Sequence, residues 1–213
     1  MLFRSDFNCG DLVVSTTAGN AWSIEARHGG DSEPQIGADG DSLRASVEGG
    51  GFIPFTEDSR QEWEVVLPTD TTLDLTVDAN ASSSRLELDD ADLSSLTIDA
   101  NAGDVRVELA GARVADLGID ANAGSLSITA DAATSLAGTV EMNAGSLDLC
   151  APDGAVVAIT IEDANVTFSH NLDDLGLTRE GDTWSTGEGE ADISLAIDGN
   201  AASFSLNPEG GCG

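Results

Sequence analysis

The hexapeptide Ile-Asp-Ala-Asn-Ala-Gly occurs twice, at residues 98–103 and 119–124, and no other property of the chain restricts its fold so tightly. Around it lies a longer repeat whose landmark asparagines, Asn80, Asn101, Asn122 and Asn143, are each 21 residues apart. Apolar pairs spaced two apart precede each asparagine: Leu75 and Val77, Leu96 and Ile98, Leu117 and Ile119, Val140 and Met142. Further pairs follow it: Ser84 and Leu86, Val105 and Val107, Leu126 and Ile128, Leu147 and Leu149. Period-two alternation means strands. The inward parity slips by one across Asn101-Ala-Gly, so the chain turns there, and asparagine or glycine at such a corner tolerates positive φ. Two short strands per fixed repeat of about 20 residues specify a solenoid. The expected fold is therefore all-β, a single-domain parallel β-solenoid of about 21-residue coils, two strands per coil, capped at both ends. Asn80, Asn101, Asn122, Asn143, Gly103, Gly124 and Gly145 are its corner and ladder residues, the amides bonding from coil to coil. The competing reading is a glycan-binding row of amides.

Residues 1–70 alternate without a clean repeat and are expected to form N-terminal strands and a cap. Residues 71–213 carry the repeat coils, with an insertion at 171–190, and the whole is expected to be one domain. The first copy is degraded, with Ser82 in the glycine place. A fifth copy at 159–168 is expected to put Glu162 at the asparagine position, Ala164 at the glycine position and Val166 level with Leu147. In the last copy Asn200 and Ala202 match Asn122 and Gly124. The second corner is expected at 110–116 in one unit and 130–135 in the next. A stack exposes strand edges and needs caps. Trp22, Phe52 and Trp63 are expected to supply one and the insertion with Trp184 the other, since aromatics make up only 4% of the chain.

With 39 acidic residues against 8 basic, the net charge is −31, and lysine is absent. Such a surface repels nucleic-acid phosphate and anionic lipid, which excludes a nucleic-acid partner. A carboxylate-rich, lysine-poor surface suits high salt, where self-repulsion is screened. The three cysteines, Cys9, Cys150 and Cys212, have no metal-site spacing and do not by their spacing reveal a pairing. No run approaches the ~20 apolar residues of a membrane span, and no secretory leader is visible.

Asp78, Asp99, Asp120 and Glu141 recur at one place in successive copies. Stacked carboxylates repel, so a calcium ion bridging neighbours would help, and this row is the candidate metal site. Its other reading is a solvated, salt-screened face, which the absence of the calcium-roll nonapeptide favours. With His28 and His170 the only histidines, a three-histidine zinc centre is impossible. No nucleophile elbow, zincin, P-loop or dinucleotide motif is present, and Gly49-Gly50-Gly51 precedes Phe52 rather than a Lys-Ser pair. No catalytic residues and no cofactor-binding residues are expected.

The naGs/naGd corners, the strand Trp63-Glu-Val-Val-Leu-Pro68 before them and the closing Asn200-Ala-Ala-Ser-Phe-Ser-Leu206 resemble the toastrack domain, an adhesin-like family that also forms the C-terminal part of LiaF-type envelope-stress proteins. The resemblance spans nearly the whole chain, most firmly 61–206. It implies an extracytoplasmic, non-catalytic module of the cell envelope with a structural, sensing or interaction role, tethered by a segment outside this sequence. Its partner would be a protein, a glycan or a second copy of itself. The alternatives are a carbohydrate-active β-helix enzyme using an acidic pair, a bactofilin-like self-assembling scaffold and a cytoplasmic location.

Overall fold

The computed structural model describes residues 1–7, 10–28, 34–39, 42–47, 61–164 and 167–212, and it is all-β. Cys9, the triple glycine, Phe52 and Val166 lie outside the described residues. Among the described residues the only helical element is a 3-10 turn at Leu172–Asp174, and no helix is long and apolar enough to cross a membrane.

The strands are β1 (Leu2–Phe7), β2 (Gly10–Thr17), β3 (Ser23–Arg27), β4 (Pro34–Asp39), β5 (Ser42–Val47), β6 (Gln61–Pro68), β7 (Leu73–Glu87), β8 (Asp92–Leu109), β9 (Arg113–Ala121), β10 (Ser125–Ala130), β11 (Ser135–Cys150), β12 (Val157–Ala164), β13 (Ser169–His170), β14 (Thr178–Glu180), β15 (Thr183–Ser185) and β16 (Ile193–Leu206). From β7 to β11 each repeat lies parallel on the one before: Leu75 beside Leu96, Leu96 beside Leu117, Val105 beside Leu126, Leu126 beside Leu147. Each tier has one arm before the corner and one after it. Alternate residues of both arms point inward, so apolar side chains stack into columns such as Val77, Ile98, Ile119, Val140 and Ile197. In β7, β8, β11 and β16 backbone pairing runs through the corner, so the two arms are one bent strand. Only β9 and β10 are separate strands around a repeat corner copied word for word.

Local register departs from the sequence pattern in three places. In β11 the partner of Ile119 is Val140, and Gly138 takes the place of a leucine beside Leu117. A Cβ on Gly138 would lie 2.1 Å from the Leu117 carbonyl oxygen, so no side chain fits there. In β12 an irregularity between Ile161 and Asp163 slides the register, which puts Asp163 beside Asp198 and Ala164 beside Gly199. Ala164 is therefore not at the corner-glycine level, and Glu162 sits at the irregularity rather than in the asparagine row. The second corner is shorter than expected, residues 110–112 and 131–134, and Asp116 lies inside β9.

At both ends the order of tiers in space differs from the order in the chain. β16 lies between β11 and β12, so the last repeat is inserted beneath the one that precedes it. At the other end β1 lies between β5 and β7, and β2 between β6 and β7, so the first tier is inserted beneath the second. The first tier extends the core: Phe3, Phe7, Leu12 and Val14 are fully buried, and Phe7 meets Trp63 edge-to-face at 5.3 Å. Gly10 has φ +129°, like the repeat corners.

Beyond the second and seventh tiers the direction of the chain reverses. β3 is antiparallel to β6, β4 to β5, and the β14–β15 hairpin to β12. Trp63 is buried in a core column, whereas Trp22 is 39% exposed and covers no apolar layer. The insertion buries Leu172 and Trp184; the Trp184 indole N–H donates to Asp173 at 3.0 Å and carries the Arg179 guanidinium 4.3 Å above its ring. Asn171 substitutes for a strand, donating to the Leu206 carbonyl and accepting from the Leu206 N–H, both at 2.9 Å. A disulfide joins Cys150, at the end of β11, to Cys212 in the tail after β16, with a Cα separation of 5.8 Å.

Candidate functional site

The repeated hexapeptide places two polar rows side by side. The carboxylates Asp78, Asp99, Asp120 and Glu141 are in register from tier to tier. Asp6 extends the row at one end, and Asp198 at the other. Asp6 was legible in the sequence, because Asp6-Phe-Asn-Cys-Gly10 repeats the pattern Asp99-Ala-Asn-Ala-Gly103 with bulkier residues at the alanines. Two positions along lies the asparagine row. The Asn101 amide donates to Asn80, and Asn122 to Asn101 and Asn143 to Asn122 at 3.0 Å. Each interior amide thus donates down the stack and accepts from above, the arrangement that in-register identical side chains favour.

Asp6, Asp78, Asp99, Asp120, Asn80 and Asn122 line a shallow depression of about 360 Å³. Parallel neighbours are about 4.8 Å apart, and two unit charges at that spacing repel by about 1 kcal/mol in water and more at a shielded surface. Asp78 responds by holding its proton: its pKa rises from 3.8 to about 6. Burial is the main cause, followed by the hydrogen bond and charge of Asp99 and the charge of Asp6, with Arg4 opposing. Among the described residues no group of three or more His, Cys, Asp or Glu side chains converges to hold a metal ion.

The glycines that follow sit at the closest approach of the backbones. Gly103, Gly124 and Gly145 have φ of +119°, +120° and +109°. A Cβ on any of them would lie 2.0–2.1 Å from the carbonyl oxygen of the tier below, at Ser82, Gly103 and Gly124 respectively. Two constraints coincide here, left-handed φ and no space, and glycine alone meets both. In the degraded first copy Ser82 replaces glycine; Ala81 takes the positive φ instead, 52°, and the Ser82 hydroxyl is buried against Ser84 at 3.1 Å.

Other acids serve the second corner. Asp131 accepts from the backbone N–H groups of Gly111 and Ala133, both at 2.9 Å, and from the Thr134 hydroxyl at 3.0 Å. These bonds lower its pKa, the Gly111 N–H most. Asp89 accepts from the Ala110 N–H at 3.2 Å. Part of the carboxylate excess therefore ties tier to tier.

A family model described as the N-terminal domain of toast_rack, DUF2154, matches residues 6–128. Among solved structures, a "putative cell adhesion protein" from Clostridium sporogenes shares the fold over 96% of this chain and 91% of its own, with a TM-score of 0.61 at 14% identity. A "putative adhesin" from Bacteroides fragilis aligns over the same shares with a TM-score of 0.37 at 10% identity. No curated protein matches the sequence. With more than half of the chain matched, including the tiers that carry Asp78, Asp99 and Asp120 and Asn80, Asn101 and Asn122, this protein belongs to the toast-rack family.

Proposed function

We propose that the chain is a non-catalytic interaction module of the cell envelope, built as one parallel β-solenoid that presents its outer faces to a protein or glycan partner. The observation that carries this reading is how the repeated polar groups are used. The asparagines bond to one another, the glycines admit a neighbouring backbone, and Asp89 and Asp131 hold turns of the adjacent tier. None of these groups is left over for a substrate. The corner asparagines and glycines are then architecture, residues 1–70 supply N-terminal strands closed by the reversed β3 and β4, the insertion at 171–190 caps the other end of a single domain, and the carboxylate row is a solvated face. Calcium would act on that row by screening it, without an enclosing cage.

Location outside the cytoplasm draws support from the Cys150–Cys212 disulfide, since such bonds persist in oxidising compartments. The adhesion description of the Clostridium sporogenes relative is in keeping with it. The enzyme alternative needs two carboxyl groups about 5–10 Å apart across a sugar. The carboxylate depression has no aromatic ring among the described residues that line it, so nothing there seats a sugar face. The test is an immobilised-protein binding screen against envelope glycans and surface proteins, run beside a reducing-sugar assay on the same glycans. Saturable binding without turnover is expected. Release of reducing ends, abolished in Asp99→Asn, would overturn the reading.

A further inference from the structure

The arm after the corner carries a second groove, separate from the carboxylate row. It has a volume of about 430 Å³, and its lining includes Arg85, Arg106, Asp104, Asp148, Ser125 and Ser127. That size is within the range of ligand sites. Two arginines stacked in register is an unusual expense in a chain of net charge −31. Arg85 is committed, to Glu87 and to Glu108, both at 2.7 Å. Arg106 is not: its Nε is shut off from solvent and has no hydrogen-bond partner. A shielded donor without an acceptor is destabilising, and a planar guanidinium fork is shaped to receive a carboxylate through two bonds.

A second arginine pair among the described residues, Arg4 beside Arg44, differs in its surroundings. Arg4 acts on the carboxylate row and lowers the pKa of Asp78, so its charge already has a use.

We infer that this groove binds a chain of carboxylate-bearing sugars, with one ring carboxylate on Arg106 and sugar hydroxyls on Asp148, Ser125 and Ser127. Three observations select this class. Asp104 and Asp148 disfavour a compact dianion such as phosphate beside Arg106, whereas a uronate carries one charge per ring and offers hydroxyls that both carboxylates accept; the Asp104 carboxylate already takes the Ser125 hydroxyl. The strands beneath the groove, β7, β8, β10 and β11, each have a paired neighbour on both sides, so a peptide has no open edge to join. The floor residues Val105 and Leu126 are 4% and 3% exposed, which leaves no apolar pocket for peptide side chains. The groove crosses four adjacent tiers, from Arg85 to Asp148, which at about 4.8 Å per tier gives it the length of a short oligosaccharide.

The experiment is calorimetric titration of the whole protein with trigalacturonate in 1 M NaCl, where the Debye length of about 3 Å screens the net charge. Neutral trigalactose, sodium sulfate and an acidic hexapeptide are the comparison ligands. Trigalacturonate is expected to bind at one site, with neutral sugar, sulfate and peptide at least tenfold weaker. Arg106→Gln should weaken binding at least tenfold with an unchanged melting temperature, Arg106→Lys should recover part of it, and Arg4→Gln should leave it unchanged. Failure of wild-type protein to bind, equal binding by Arg106→Gln, or sulfate or peptide binding as well as trigalacturonate would each overturn the assignment. The inference goes beyond the envelope-module reading and falls separately: turnover of sugars would sink that reading, whereas loss of this site would not.

Discussion

The middle of the molecule and its two ends are built from the same repeat but under different rules. From β7 to β11 the order of tiers in space is their order in the chain, and each tier rests on the corner of the one before at a step of 21 residues. At each end one repeat is threaded beneath its neighbour, and antiparallel strands then stop the stack. A repeat in the middle is specified by what every neighbour shares. An end tier needs contacts that no other tier makes: the edge-to-face pair Phe7 and Trp63, the strand-mimicking Asn171 and the Cys150–Cys212 bond. Threading also places β1 and β16 between two strands, so both are held from both sides, and the outermost described strands are short: the reversed β3, β4 and β14 and the two-residue β13.

The largest expected effect is in the middle. Gly124→Val requires a β-branched residue at φ +120° and a Cβ 2.0 Å from the Gly103 carbonyl oxygen, so the loss should be at least about 4 kcal/mol, among the large mutational values. Gly118→Val is the matched control, with nothing within 4 Å of its Cβ and no positive φ; it should change stability by less than about 0.5 kcal/mol. Chemical denaturation of the two variants decides whether corners or glycine content hold the tiers together.

At the C-terminal end, Cys212→Ser should cost about 4 kcal/mol by the loop-entropy relation for a bond spanning 62 residues. Hydrogen exchange should rise in β16 and β12 far more than in β7 or β8; a uniform rise would show that the ends and middle unfold together.

Smaller still is Asn122→Ala, which removes the bond donated to Asn101 and the one accepted from Asn143, for an expected loss of about 1–2 kcal/mol at exposed amides. The smallest effect is electrostatic. Because Asp78 titrates near 6 when folded and near 3.8 otherwise, the folded chain holds the extra proton between those values. Stability from this group is full below about pH 4 and is lost as pH rises through 6. Asp131, with its pKa lowered, acts in the opposite sense: its contribution is present at neutral pH and is lost on acidification. Asp78→Asn should flatten the pH dependence of the melting temperature between 4 and 6 and raise the melting temperature at pH 7. An unchanged pH profile would show that the row does not strain the stack.

What was legible in the sequence follows the same division. Identical hexapeptides at a fixed step expose the corners, the inward columns and the carboxylate row, because every tier of the middle meets the same environment. The first tier carries only a weak signal, Asp6-Phe-Asn-Cys-Gly10, because Phe7 and Cys9 replace the alanines of the hexapeptide. The register of β12 escaped because one extra residue near Glu162 shifts pairing without changing composition. The threading of β16 could not be read from periodicity at all, since a repeat fits equally well above or below its predecessor. Arg106 carries no motif; its significance lies in an atom that has lost both water and partner.

The most direct test of threaded ends over sequential stacking is cysteine cross-linking between outward positions of adjacent tiers. Thr139 pairs with Ala196, and Ala196 in turn pairs with Thr160, so Thr139 and Thr160 are two tiers apart. Disulfides require Cα separations of about 4.4–6.8 Å, which neighbouring parallel strands meet and second neighbours do not. In oxidised protein mapped by mass spectrometry, the pair Thr139→Cys with Ala196→Cys should cross-link, and Thr139→Cys with Thr160→Cys should not. Cross-linking of the second pair without the first would show that the repeats stack in chain order, and the account of the ends would be wrong.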